Sequence, residues 1–378
     1  MTNYEQLGKH IQTVDIRNSE SITDRVLGIN IDKYFMPSVA NVIGTDLSNY
    51  KLLHKGLFAC NPMHVGRDER LPVALYTENE PAIISPAYFM FELVDPKILN
   101  PEYLMMWFRR PEFDRLCWLK TDGSVRGGIT WDDICRLEVP VIPIEDQLHI
   151  AKNYSVISER IKIKQRINDN LEEQAQAIYS KMFIEEANPN WPTGKLSDIA
   201  NITMGQSPKG DTYNEHGIGT VFFQGRAEFG FRFPQRRLYT TDPKRMAQVN
   251  DVLLSVRAPV GDLNVAFEPC CIGRGLSAIH SKDNHQSFVL YTVFSLRHKL
   301  DMFNGEGTVF GSINRDSLNS MEIILPPMEV VDQFENTVSP MDFTIRNNFK
   351  EISQLEKIRD NLLPLLLSGE LDVSEIEP

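Results

Sequence analysis

The 378-residue chain is 42% hydrophobic and 24% charged, which excludes a largely disordered protein and suits two domains with connecting elements. Its longest apolar clusters, such as Leu362 to Leu367, are far shorter than a membrane span, and the polar start MTNYEQLGKH lacks a signal peptide, so a cytoplasmic protein with no membrane partner is expected. Five cysteines (Cys60, Cys117, Cys135, Cys270, Cys271) without CxxC or Cys/His ligand spacing exclude a disulfide framework and structural zinc.

In chain order, the first elements are short alternating apolar runs punctuated by Gly, Pro and Asn: LLHKGLFACNP, PVALYT and AIISPAYFMFEL. These predict β-strands joined by irregular loops. A helix follows over 102–110, where aromatics and Leu recur at three- and four-residue steps. Next come a glycine-rich turn, Gly123 to Asp132, and a strand, Leu137 to Pro143, that ends at proline. From Ile150 a long helix is predicted, with a seam of Tyr154, Ile157, Ile161, Leu171, Ala175, Ile178 and Met182 interrupted by polar Lys164 and Asn168.

The pattern then repeats. DVLLSVRAPVGDLNVAF and SAIHS read as strands and 287–300 as a helix. The stretch Gly307 to Asp316 matches Gly123 to Asp132 at an offset of 184 (307 − 123), and Met321 to Pro327 matches Leu137 to Pro143. Gln333 aligns with Gln147 after a two-residue insertion, and Gly8-Lys9 aligns weakly with Gly194-Lys195. A second long helix carries the seam Phe334, Val338, Met341, Ile345, Ile352, Leu355 and Leu362, interrupted by Asn348 and Arg359. Pro340 is expected at a start or bend and Pro364 at an end. Two interrupted seams suit an antiparallel pair, and a helix of roughly 35 residues spans about 50 Å, more than one turn of duplex. The expected architecture is α+β with a pseudo-two-fold internal repeat: a globular domain over 1–144, a spacer helix over 145–186, a second domain over 187–327, and a second helix with an acidic tail over 328–378.

Catalytic signatures are missing. Asn61-Pro62-Met63-His64 departs from the Asn-Pro-Pro-aromatic element of amino-methyltransferases at Met63 and His64, and no phosphate-binding GxxxxGK[ST] loop exists. The His residues lack metal-ligand spacing, and the acids form no nuclease cluster. No catalytic, metal or cofactor site is therefore assigned to this chain.

The remaining chemistry suits duplex DNA. The formal charge of −12 opposes DNA binding, yet charge is segregated: Arg226, Arg232, Arg236, Arg237, Lys244 and Arg245 crowd one segment, while the tail SGELDVSEIEP holds only acids. Arg reads guanine, Gln and Asn read adenine, and Ser and Lys hold phosphate. The candidate DNA-contacting residues in the second domain are Gln206, Ser207, Lys209, Gln224, Arg226, Arg232, Arg236, Arg237, Arg257 and Arg274. In the first domain they are Asn61, His64, Arg67, Arg70 and Arg126, with Arg67 and Arg257 taken as parallel positions. Helix pairing and partner docking are assigned to Ile157, Ile161, Leu171, Ile178, Ile345, Ile352, Leu355 and Leu362. On residues alone, a coiled-coil scaffold without DNA reading and an atypical DNA methyltransferase or nuclease stand as alternatives.

Taken together, the GxSP element (Gly205 to Pro208), the DVLLSVRAPVGDLNVAF run, the G[ST]VxG[GS]I turn in both copies, the proline-ended strands before each helix and the LE-rich helix leading to LLLSGEL resemble the specificity subunit of type I restriction-modification systems. The first domain lacks the GxSP element. The resemblance implies two target recognition domains separated by two long antiparallel coiled-coil helices, each domain reading half of a bipartite target in double-stranded DNA. It also implies a non-catalytic role, docking of methyltransferase (modification) subunits and a restriction/motor subunit, and S-adenosylmethionine, ATP and Mg²⁺ held by those partners.

Overall fold

The computed structural model describes residues 3–368 except 41, 43, 64, 122–126 and 305–310, with side chains described from 4 to 360. The chain divides into two compact units, one of residues 1–160 and 356–378 and one of residues 161–355. The candidates His64 and Arg126, most of both glycine-rich turns, the Leu362 side chain and the end of the acidic tail lie outside the described residues.

Each unit is built on the same four-stranded antiparallel sheet. In the first unit the strand order is Ile11–Thr13, Phe89–Leu93, Phe58–Cys60 and Val73–Leu75. In the second it is Ala200–Met204, Leu276–Ser281, Val252–Ser255 and Leu263–Val265. The central strands read as unbroken apolar runs because both faces are covered. Phe58 and Cys60 enter one core while Ala59 enters another, and Val252 and Leu254 do the same opposite Leu253. A five-stranded sheet is found in the second unit alone among the described residues; it contains a parallel pair between Thr220–Phe223 and Cys270–Ile272.

The domain ends are closed by two-stranded pairs, Asn3–Gln6 with Glu138–Val141 and Thr193–Lys195 with Glu322–Ile324. Leu7 N donates to Leu137 O and Leu196 N to Met321 O. Since Leu137 and Met321 are repeat partners, Leu7 corresponds to Leu196. The alignment of Gly8-Lys9 with Gly194-Lys195 is therefore displaced by three residues. Gly8 is needed for another reason: a Cβ there would stand 2.7 Å from the Cβ of Cys135. The turn after each glycine-rich segment repeats faithfully. Short helices at Trp131–Cys135 and Arg315–Asn319 are capped by Thr130 and Asn314, whose side chains accept from the third backbone N–H beyond.

The central helix runs Ile144–Ser180 and the C-terminal helix Met328–Ser368. Within the second unit they pair antiparallel, since Tyr179 meets Phe334 and Lys164 meets Glu351. Ile161, Ala175, Phe334, Val338, Ile345 and Ile352 are buried, Leu171, Ile178, Ile157 and Leu355 are partly buried, and Asn168 and Asn348 fill seam positions. Ala175, Tyr179, Phe334 and Val338 belong to the same core as Val252, Leu254 and Phe288, so the helix pair forms part of the second domain's interior. Pro340 and Pro364 lie inside the C-terminal helix, so Pro340 marks no helix start and Pro364 no helix end. At Pro340 the loss of one N–H is tolerated because its would-be acceptor, residue 336, is exposed to water.

The long helices also hold the N-termini of the shorter ones. Gln147, fully buried, accepts from Asn100 N at 2.8 Å and donates to the carbonyls of Ile98 and Ile142. In the second unit this position is taken by Glu335, which accepts from Ser287 N and Phe288 N at 3.1 and 3.0 Å. Gln333, its aligned counterpart, is exposed.

Candidate nucleic-acid interface

In the second unit four loops are knitted by backbone hydrogen bonds. Gly205 N donates to Leu276 O and Gln206 N to Ile272 O, both at 2.9 Å. Arg274 N donates to Ser207 Oγ at 3.2 Å. Gly275 N donates to Gln224 O at 3.1 Å, and Val256 N to Gly275 O at 2.9 Å. Glycine is required at the crossings: a Cβ on Gly205 would lie 2.1 Å from Gly273 O, and one on Gly275 2.8 Å from Gln224 O.

The knot brings Gln206, Ser207, Gln224, Arg257 and Arg274 into one loop cluster, with Lys209 two residues beyond Ser207. All are exposed except Ser207, which is half-buried. Among the described residues no carboxylate pairs with Lys209, Arg257 or Arg274. Amides, a hydroxyl and unneutralised cations on neighbouring loops form a donor array suited to base edges and phosphates.

The other arginines are placed differently. Arg226 pairs with Asp262, which also takes Arg297 at 2.9 Å. Arg236 pairs with Glu268 and Arg237 with Glu228. All three arginines are exposed, and the pairs of Arg226 and Arg236 hold weakly enough for a phosphate to compete, whereas Glu228 is buried and keeps Arg237 as its counterion.

Arg232 does not belong to this surface. It is 4% exposed and lies between Glu172 of the central helix at 3.1 Å and Asp342 of the C-terminal helix at 3.2 Å, with Tyr291 Oη at 3.0 Å. Burial pulls the guanidinium's pKa down, but Tyr291, Asp342 and Glu172 more than offset it, so Arg232 is held above its ordinary value. Burial pushes Glu172 up against the opposing pull of Arg232, and pushes the Tyr291 phenol up. Sequence reasoning placed Arg232 with the DNA readers because it sits among arginines and aromatics. Its carboxylate partners are remote in sequence, so no local signal marked it as interior.

In the first unit Asn61 is half-buried, and its side chain accepts from Met63 N at 3.1 Å. Arg67 pairs with its neighbour Asp68 and Arg70 with Asp32, and both arginines are exposed. Arg67 is not the counterpart of Arg257. Ile129 N donates to Pro62 O at 3.1 Å and Ile313 N to Val256 O at 3.0 Å. Ile129 and Ile313 are repeat partners, so Pro62 matches Val256 and Met63 matches Arg257.

Among the described residues no group of three or more His, Cys, Asp or Glu could hold a metal ion, and no helix is long and apolar enough to cross a membrane. Burial holds the Cys60 and Cys270 thiols up at about 12, away from reactive thiolates.

Comparison with known proteins gives a consistent picture. Residues 188–357 match the family described as the type I restriction modification DNA specificity domain. The chain is 29% identical over 380 residues to a putative type I restriction enzyme MjaX specificity subunit of Methanocaldococcus jannaschii, covering 95% of this chain and 87% of that one. It is 23% identical over 306 residues to the MjaIX specificity subunit of the same organism, covering 73% and 70%. A crystal structure of a type I restriction-modification S subunit from M. genitalium superposes with a TM-score of 0.61 at 16% identity, over 97% of this chain and 96% of that one, and supports the fold alone.

Proposed function

We propose that this chain is a specificity subunit of a type I restriction-modification system and that it reads a two-part DNA target, one half with each domain. The subunit is non-catalytic. The observation that carries the reading is the loop cluster of Gln206, Ser207, Gln224, Arg257 and Arg274, where base-reading side chains and free cations share one knotted scaffold. Loops cross-tied by backbone hydrogen bonds present side chains in fixed directions, which base discrimination requires. Arg226 and Arg236 exchange their carboxylates for phosphates, Arg237 reaches a phosphate with its remaining N–H groups while it stays on buried Glu228, and Lys209 adds a further phosphate contact. Arg67 and Arg70 play the same part in the first domain.

The two long helices set the distance between half-sites. Of the seam residues assigned to both helix pairing and docking, Ile161, Ile345 and Ile352 are buried and serve pairing alone, so docking of the methyltransferase subunits and, through them, a restriction/motor subunit falls to the exposed Val156, Ile163, Ile167 and Phe343. S-adenosylmethionine, ATP and Mg²⁺ are the partners' cofactors, and this chain's residues are assigned none of them. The domain limits are 1–144 and 187–327, with helices over 145–186 and 328–378, in a cytoplasmic complex.

The test is to co-express the chain with its modification subunit and map methylated adenines in host DNA with the chain present and absent. The expected result is methylation at a two-part motif with a fixed gap, seen only when the chain is present. Methylation that persists unchanged without it would overturn the reading.

A further inference from the structure

The two domains carry different chemistry at the same point of their recognition surface. Val256 and Pro62 accept the same repeat-related hydrogen bond, from Ile313 N at 3.0 Å and Ile129 N at 3.1 Å. The next residue in each domain is therefore structurally equivalent, and it is Arg257 in one and Met63 in the other. A bridge between Arg257 and Ser312 extends the match, because Ser312 aligns with Gly128 at the offset of 184. Gly128 also packs closely on this loop: a Cβ there would stand 3.0 Å from Pro62 O.

Both side chains are exposed, Met63 at 42%. Arg257 pairs with no carboxylate among the described residues and adjoins Gln224 and Arg274 through Gly275. Met63 is an exposed apolar side chain held by a short turn, in which Asn61 Oδ1 accepts from Met63 N at 3.1 Å. A solvent-exposed thioether gains nothing from water and nothing from phosphate. At a base edge it suits the thymine C5-methyl group, which offers apolar contact and no hydrogen bond to the reader.

We infer that position 257 and its repeat partner 63 determine base identity at equivalent places in the two half-sites. Arg257 reads a guanine through O6 and N7, and Met63 packs on a thymine methyl. The inference rests on the proposed DNA reading. It makes the asymmetry of the target a property of one residue pair in addition to the surrounding loops.

The experiment compares methylation maps in cells expressing the modification subunit with wild-type chain, Arg257→Met, Arg257→Gln or Met63→Arg. Both Arg257 variants are expected to lose preference for guanine at one position of one half-site by about ten- to a hundred-fold, with the other half unchanged. Met63→Arg is expected to replace a thymine by a guanine at one position of the opposite half. The unaffected half reports that the chain is folded and assembled. Wild-type motifs from all variants would overturn the inference while leaving the two-part reading intact. Loss of the whole motif by the Arg257 variants, from a chain that still co-purifies with the modification subunit, would make Arg257 a general phosphate contact and would also overturn it. No chain-dependent methylation with the wild type would remove the reading itself.

Discussion

Asn348 Nδ2 donates to Asn168 Oδ1 at 2.8 Å across the helix pair, and Lys164 Nζ donates to Asn348 Oδ1 at 3.0 Å on its way to Glu351. Both asparagines are nearly buried, at 4% and 8% exposed, so each needs the other. A polar pair inside an apolar seam fixes register, because any slip of one helix along the other would leave both amides unpaired.

The first prediction follows. Asn348→Leu and Asn168→Leu should each destabilise the chain by about 1–3 kcal/mol by stranding the other amide, whereas the joint change should recover most of that loss. Urea denaturation of the two singles and the double provides the cycle. Additive single effects would show that the amides are not coupled.

Arg232 should be among the most sensitive positions of the second unit. Arg232→Met leaves Glu172 and Asp342 facing one another without a cation, at an expected cost of about 3–5 kcal/mol. Arg232→Lys should restore little, since one ammonium cannot span Glu172, Asp342 and Tyr291 as a planar guanidinium does. Thermal unfolding of both variants measures this, and a wild-type midpoint for Arg232→Met would contradict it.

Glu335 supplies a pH prediction. Burial raises its pKa, and the backbone donors at Phe288 and Ser287 only partly oppose the shift. In the window just above the usual Glu value of ~4.3, the folded chain holds this proton more tightly than the unfolded chain, so Glu335's contribution to stability falls as pH rises through that window. Glu335→Gln keeps an acceptor for the helix N-terminus, as Gln147 does in the first unit, and removes the proton equilibrium. The variant should gain stability relative to wild type as pH rises through the window, read from denaturation midpoints at several pH values. Parallel pH profiles would exclude the assignment.

Gly205→Ala forces a Cβ to 2.1 Å from the Gly273 carbonyl. The knot must open, with an expected loss of about 1–3 kcal/mol and, under the proposed DNA reading, a larger loss of discrimination in one half-site. Methylation mapping, with purified yield of the assembled complex as the control for folding, separates the two effects. An unchanged motif would show that the loops do not depend on this crossing.

The repeat, the central strands and the long helices were legible in the sequence because each has a periodic signal: glycine-rich turns at one offset, apolar runs ended by proline, and three-four seams with polar interruptions. The seam drifted where an ideal helix departs from seven-residue spacing, so Tyr179 and Phe183 are the buried residues near its end, while Ile178 is partly buried. The five-stranded sheet was not legible. Its strands have two to four residues, and one pairing is parallel across distant segments. Among candidate site residues, those after recognisable strand ends, such as Gln224 and Arg257, came together. Arg232 was misplaced because a buried arginine and a surface arginine look alike until their carboxylates are located.

The position of those carboxylates limits how this protein can be recombined. A cut that exchanges residues 190–325 removes Arg232 but leaves Glu172 and Asp342 in the recipient helices. An incoming domain that supplies no arginine at that point inherits two partly buried negative charges with no counterion. The helix pair therefore admits some domains and rejects others before any DNA is met. Under the proposed DNA reading, new specificities are most readily gained from donors that carry the same cation, or by moving 161–355 as one cassette.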